Sequence, residues 1–267
     1  MASKPPQLAE VLDVLQEIAP LELAAAWDNV GLLLEPPRRR RAVLRRLLLT
    51  IDLSAAVVDE AVAGRCELVV AYHPPIFAPL SRLLQADARQ RALLRAAASG
   101  LAVYSPHTAL DAAPGGVADW LAEGVVGGDA PEVLRPCGEG EFGRFVALPR
   151  PVPLPRLLAR IKRWLSVRTL RLARAGSGRA SLRTIAVAAG AGGSVLRGER
   201  ADLWLTGELS HHDVLAAVEN GTTVVLAEHS NTERGYLRRL RRRLLAAFGS
   251  RLRVGIARTD RDPVTLV

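Results

Sequence analysis

Five side chains in this sequence, His73, His107, Asp111, His229 and Glu233, combine metal-ligand chemistry with a repeated spacing. His107 is followed four residues later by Asp111, and His229 four residues later by Glu233. Each of the three histidines directly follows an apolar run that reads as a buried strand, so the polar groups gather at strand C-terminal ends, where open α/β sheets hold their ligands. Three imidazoles and two carboxylates are a borderline-hard donor set suited to two divalent ions of Zn, Fe, Mn, Co or Ni, and carboxylates can bridge ions about 3.5–4 Å apart. Such a pair lowers the pKa of a bound water toward about 7 and makes it a nucleophile at neutral pH. Singly, each His reads more simply as a turn residue. The repeated His-x-x-x-acid spacing favours a composite metal site.

The elements that would position these groups follow from periodicity. Leu8, Val11, Leu12, Leu15 and Ile18 form a helical stripe. Strands are expected at Arg46 to Asp52, Leu68 to Tyr72 and Leu101 to Tyr104, with helices at Ala55 to Ala63 and Ala86 to Ala97 between them. That β-α-β-α-β order predicts parallel sheet with right-handed crossovers. A short helix after Pro114-Gly115-Gly116 passes Trp120 and ends near Gly124. The second half repeats the layout: Phe145 to Leu148, a helix from Pro155 to Leu165, strands at Arg183 to Ala188, Leu203 to Thr206 and Thr223 to Ala227, helices at Ser210 to Glu219 and Thr232 to Phe248, and a last strand at Leu252 to Ala257. The fold class expected is α/β, as two related lobes with mostly parallel sheets. Residues 1–124 make the N-terminal lobe, the Gly-, Pro- and Glu-rich stretch 125–144 a connection, and 145–267 the C-terminal lobe.

Three further stretches carry candidates. His211-His212 follows Ser210, which would cap a helix; the imidazoles are either capping neighbours or candidate catalytic groups that exchange a proton with a metal-bound water. Gly190-Ala191-Gly192-Gly193-Ser194 lacks both dinucleotide and Walker spacing, so a tight turn is the safer reading than a phosphate cradle. Trp27-Asp28-Asn29-Val30-Gly31-Leu32 reads as a turn, either with a packed Trp or with the Trp as a wall of the site.

At 267 residues, 49% hydrophobic and 24% charged, the chain can bury a sizeable core without staples. Two cysteines and an N-terminus lacking an apolar run point to an unexported protein in a reducing compartment, expected in the cytoplasm and also the nucleus, while Pro5 and Pro6 argue against an amphipathic mitochondrial leader. No apolar run has the ~18 residues of a membrane span. The net charge of +9 invites a nucleic-acid reading. Against it, almost every cation is Arg, and the runs Arg38 to Arg41 and Arg238 to Arg243 lack interleaved aromatics for base stacking. A solvated surface is preferred.

The blocks Trp27 to Leu32, Tyr72-His73-Pro74-Pro75-Ile76-Phe77, Ser105-Pro106-His107-Thr108-Ala109-Leu110-Asp111, Leu205 to His212 and Glu228 to Gly235 resemble, in order, the signature blocks of the Nif-three-like family, also catalogued as GTP cyclohydrolase I type 2 homologues. The resemblance covers nearly the whole chain. It implies an α/β protein of two related lobes forming a toroidal homohexamer with dinuclear metal centres, whose ligands fall on His73, His107, Asp111, His229 and Glu233. It also implies, from the eukaryotic branch, a transcriptional co-regulator of corepressor type that binds a signalosome subunit. Many members have His-His where this chain has Tyr72-His73, and longer members insert a domain for which residues 125–144 leave no room. With Tyr72 as the weaker donor, one metal subsite is expected to bind less tightly than the other. The function expected is a metal-dependent hydrolase; the alternative is a non-catalytic interaction protein.

Overall fold

The computed structural model describes residues 4–35, 43–176 and 180–264. The run Arg38 to Arg41 lies outside them. In chain order the elements are α1 (Leu8–Ile18), β1 (Gly31–Leu34), β2 (Arg46–Thr50), α2 (Ala55–Ala63), β3 (Leu68–Ala71), α3 (Ala88–Ala98), β4 (Ala102–Ser105) and α4 (His107–Ala112). They continue with α5 (Val117–Val126), β5 (Val133–Cys137), β6 (Gly143–Pro153), α6 (Leu154–Leu165), β7 (Arg171–Ala173), β8 (Ser181–Ala188), α7 (Gly193–Leu196) and β9 (Leu203–Thr206). Last come α8 (His211–Glu219), β10 (Thr223–Leu226), α9 (Asn231–Arg234), α10 (Leu237–Phe248) and β11 (Arg253–Ile256).

The chain divides into two compact units, one of Met1–Leu110 with Leu237–Arg261, the other of Asp111–Tyr236 with Asp262–Val267. This differs from the expected lobes at 1–124 and 145–267. The reason is strand pairing: β11 runs parallel to β2 and completes the first sheet, ordered β1-β4-β3-β2-β11. In that sheet β2, β3 and β4 are parallel neighbours and β1 is an antiparallel edge. The central strands β3 and β4 are buried along their whole length, as Leu-Val-Val-Ala in β3 shows, because helices cover both faces of parallel sheets. Val57, Val58 and Ala61 of α2 and Ala92 and Ala96 of α3 pack there with Leu48, Val69 and Val103. Ser54 starts α2 by accepting a hydrogen bond from the Val57 amide. Helix α10 buries Leu237, Leu240, Leu244 and Phe248 and exposes Arg238, Arg241 and Arg242 on its other side.

The second sheet, ordered β5-β6-β8-β9-β10-β7, is mixed rather than mostly parallel. Only β8, β9 and β10 are parallel neighbours. The stretch expected as connection contains β5, which pairs antiparallel with β6 through a short link that permits no crossover. The expected helix from Thr232 to Phe248 is broken at Gly235 and Tyr236. A Cβ on Gly235 would collide with the Trp120 ring, so glycine allows a close approach there, and the Tyr236 hydroxyl donates to the Gly115 carbonyl at 3.1 Å. No helix among the described residues is long and apolar enough to cross a membrane.

Candidate metal centre

In the first unit the ladder between β2 and β3 continues past both strands, the Tyr72 and His73 amides donating to the carbonyls of Thr50 and Ile51 at 2.9 and 3.0 Å. Asp52 and His73 therefore emerge side by side. His73 Nδ1 stands 3.0 Å from Asp52 Oδ1. From the neighbouring β4, the Ser105 hydroxyl donates to the Tyr72 carbonyl at 2.8 Å, and the chain turns into α4 at His107 with φ +24°. That left-handed value is uncommon for a residue with a Cβ, and such strain concentrates at functional turns.

His107 Nδ1 lies 2.9 and 2.8 Å from the two oxygens of Asp28. The Thr108 amide and hydroxyl donate to the same carboxylate. The Asp28 side chain is wholly removed from solvent. Burial pushes its carboxyl up, but the hydrogen bonds from His107 and Thr108 outweigh burial and hold it below the usual aspartate range. The His73 and His107 rings stand 5.4 Å apart, edge to face, and the buried ring of Tyr72 packs 5.0 and 5.6 Å from them. Trp27, which the sequence left as either packed or part of a site wall, is exposed beside His107.

The second unit contains the other pair. His229 follows Glu228, a residue at φ +66° just after β10. Its Nδ1 is 2.8 Å from Glu208 Oε1 and its Nε2 is 3.3 Å from Glu233 Oε1. Glu233 is only 2% exposed. His229 and Glu233 belong to a His/Glu group whose ligand atoms lie close enough together to hold a metal ion. Asp111, 8% exposed, stands one turn beyond His107 on α4.

In the Gly190 to Ser194 stretch two amides are taken up within the protein, Gly190 donating to Thr232 Oγ1 at 2.8 Å and Gly192 to Thr206 Oγ1 at 3.1 Å, as in a tight turn. Gly190 sits at φ +54°, where a Cβ would come 2.7 Å from Glu233 Oε1 and 2.8 Å from His229 Nε2. Ser210 caps α8 by accepting from the Asp213 amide at 3.1 Å. His211 and His212 stand exposed in the helix's first turn, rings 5.4 Å apart.

Each candidate ligand histidine thus has a carboxylate at Nδ1: Asp52 for His73, Asp28 for His107, Glu208 for His229. A carboxylate there holds the Nδ1–H tautomer, turns the ring and directs the lone pair to Nε2, the arrangement that accompanies metal-bound imidazoles. Glu233 Oε1, buried and 3.3 Å from His229 Nε2, gives with that nitrogen an N/O donor pair of the kind divalent transition metals take. Sequence reasoning did not assign Asp28, Asp52 or Glu208. The signal existed for two of them, because Asp52 and Glu208 also stand just past the ends of strands, β2 and β9.

A family description, Duf34/NIF3 (NGG1p interacting factor 3), matches residues 6–263. The chain belongs to that family. Among curated NIF3 relatives, it is 39% identical to NIF3-like protein 1 of Drosophila melanogaster, covering 98% of this chain and 89% of that one. It is 41% identical to the NIF3 homolog of Schizosaccharomyces pombe, covering 94% and 95%, and 35% identical to the NGG1-interacting factor 3 of Saccharomyces cerevisiae, covering 97% of each. The yeast relative is thus named for a protein partner. Among solved structures, the NIF3-related protein of Bacillus cereus superposes with TM-score 0.82 at 19% identity over 99% of this chain and 100% of that one. Reduced HcgD of Methanocaldococcus jannaschii has TM-score 0.82 at 24% identity over 94% and 97%. These two likenesses establish the NIF3 fold.

Proposed function

We propose that this NIF3-family chain binds two divalent metal ions through His73, His107, Asp111, His229 and Glu233 and is a metal-dependent hydrolase. The observation that carries the reading is the carboxylate at Nδ1 of all three histidines. When bound, the metal would supply Lewis acidity and lower the pKa of a water toward about 7. The chain's own residues do the rest. Asp28, Asp52 and Glu208 orient the imidazoles, Gly190 leaves space beside the His229 and Glu233 head groups, and His211 and His212 are candidates to take up a proton. Metal analysis of protein purified without chelator tests the reading. We expect about two equivalents of a divalent metal per chain; protein that stays metal-free when Zn, Fe, Mn, Co and Ni are each supplied would sink it.

A second reading is favoured by the yeast relative's name: a partner-binding protein acting in transcription, with structural metals. The exposed arginines of α10 would then suit an acidic partner. Asp111→Ala separates the two. Loss of cellular function with assembly and partner binding intact favours the hydrolase, and retained function favours the interaction protein. Self-association, expected from the resemblance, is read by light scattering as a multiple of the 28.7 kDa chain.

A further inference from the structure

Two aromatic side chains beside His107 leave most of their surface in solvent. Trp27 is 63% and Phe77 53% exposed, although a large aromatic ring is ordinarily drawn into a core or onto a contact surface. Their rings stand 5.8 Å apart at 50°, and each presents itself to the His107 imidazole, Trp27 at 6.3 Å and Phe77 at 6.4 Å, both near edge to face.

They are mounted rigidly. On one side of Trp27 the Ala25 amide donates to Thr108 Oγ1 at 3.0 Å. On the other, Asp28 is bound to His107 and Thr108, and its Oδ1 accepts from the Asn29 amide at 2.8 Å. The Asn29 side-chain amide then donates to the Ile76 carbonyl at 2.5 Å, tying the residue before Phe77 to the turn that carries Trp27. Trp27, Asp28 and Asn29 therefore divide three tasks: an open ring, the carboxylate that sets His107, and the cross-link to the second aromatic residue. A frame fixed by that many hydrogen bonds keeps two apolar faces in water beside a candidate ligand, which costs stability unless the faces are used.

We propose that Trp27 and Phe77 form an aromatic wall that binds the planar ring of the substrate, and that the substrate class is a small molecule with an aromatic or heteroaromatic ring directly beside an anionic group such as a phosphate. This rests on the metal reading above, because the anionic group is the part a metal at His107 would hold. Every base and aryl ring has a π-face, so stacking selects the class without selecting one member. Trp27 and Phe77 act on binding and selectivity; they do no acid or base chemistry.

The test compares two anions that differ by the ring alone. Titration calorimetry of phenyl phosphate and methyl phosphate is carried out on metal-loaded full-length wild type, Trp27→Leu and Trp27→Phe, with metal content and light-scattering mass measured for each. Wild type should bind phenyl phosphate about five-fold or more tightly than methyl phosphate, from the usual worth of one stacked ring. Trp27→Leu should lose that preference while keeping its metal content and its affinity for methyl phosphate, and Trp27→Phe should restore much of it. Equal affinities in metal-loaded wild type, or a Trp27→Leu variant that weakens both anions alike, overturn the inference and leave the metal reading standing. A Trp27→Leu variant of altered mass also overturns it, by making the rings a contact between copies. Wild type that takes up no metal sinks the metal reading, and this inference with it.

Discussion

Asp28 and His107, 79 residues apart in sequence, meet with both carboxylate oxygens within 2.9 Å of Nδ1. In Asp28→Asn the amide nitrogen replaces an acceptor with a donor, while the Thr108 amide and hydroxyl still point at the site as donors. We expect metal affinity to fall about 10- to 100-fold, the usual cost of losing an imidazole's carboxylate, with the fold retained. Calorimetric metal titration alongside circular dichroism checks this. Unchanged affinity would show that Asp28 does not orient a ligand.

Tyr72 packs against both imidazoles of the first unit. A phenol with a pKa near about 10 is a poor ligand at neutral pH, whereas an imidazole binds in its neutral form. We expect one tighter and one weaker metal per chain, and Tyr72→His should strengthen the weaker one by about ten-fold or more. Two equally tight sites in wild type, unchanged by the substitution, would contradict this.

Acid should loosen the attachment of the segment after β11. Glu60 on α2 accepts from the Arg258 and Thr259 amides and from the Thr259 hydroxyl. Burial alone would raise its carboxyl, but those bonds outweigh burial and hold it below the usual glutamate range. The folded value is depressed, so the stabilisation is fully present above the unfolded value of about 4.3 and is lost as pH falls through the folded value. Urea unfolding between pH 3 and 7 should show this loss in wild type. Glu60→Gln should be weaker by about 1 kcal/mol at neutral pH, with a correspondingly flatter acid limb. Parallel acid limbs in the two proteins would contradict the assignment.

Neither cysteine should react quickly in the native protein. Both thiols are free, and burial pushes Cys66 up to about 11 and Cys137 up to about 12. The thiolate is the nucleophile, and at pH 8 these values leave about one thiolate in a thousand or fewer. Ellman's reagent should titrate both thiols at once in urea and neither within minutes in buffer. Rapid native reaction of either would show an opening that exposes it.

The sequence made the central strands plain, because strands buried on both faces are unbroken apolar runs: Leu68 to Ala71, Leu203 to Thr206 and Thr223 to Leu226 all stand within a residue of where the apolar pattern puts them. The edge strands β1, β5 and β7 carried no such signal. Val133 to Pro136 are exposed, and Gly31 opens β1 at φ +99°, so punctuation hid the strand. Among the site residues, the four-residue spacing of His229 and Glu233 was visible, and the structure brings their head groups together. Asp52 and Glu208 could have been picked out as residues just past strand ends, but which carboxylate backs which imidazole was not visible, because a partner 21 or 79 residues away is chosen by sheet order and not by spacing.

The return of β11 to β2 also sets an order of events during synthesis. Residues 111–236 of the second unit form one uninterrupted stretch, but the first sheet waits for a strand encoded by residues 253–256, near the end of the chain. As the chain leaves the ribosome, residues of β2 emerge some 200 positions ahead of their partner, with the flank of that strand open to wrong pairings meanwhile. The loop that closes is the longest in the molecule's sheets, and long-range parallel pairing is slow to form. A chain stalled before α10 would therefore carry a second unit with all six of its sheet strands and a first sheet that still lacks one edge.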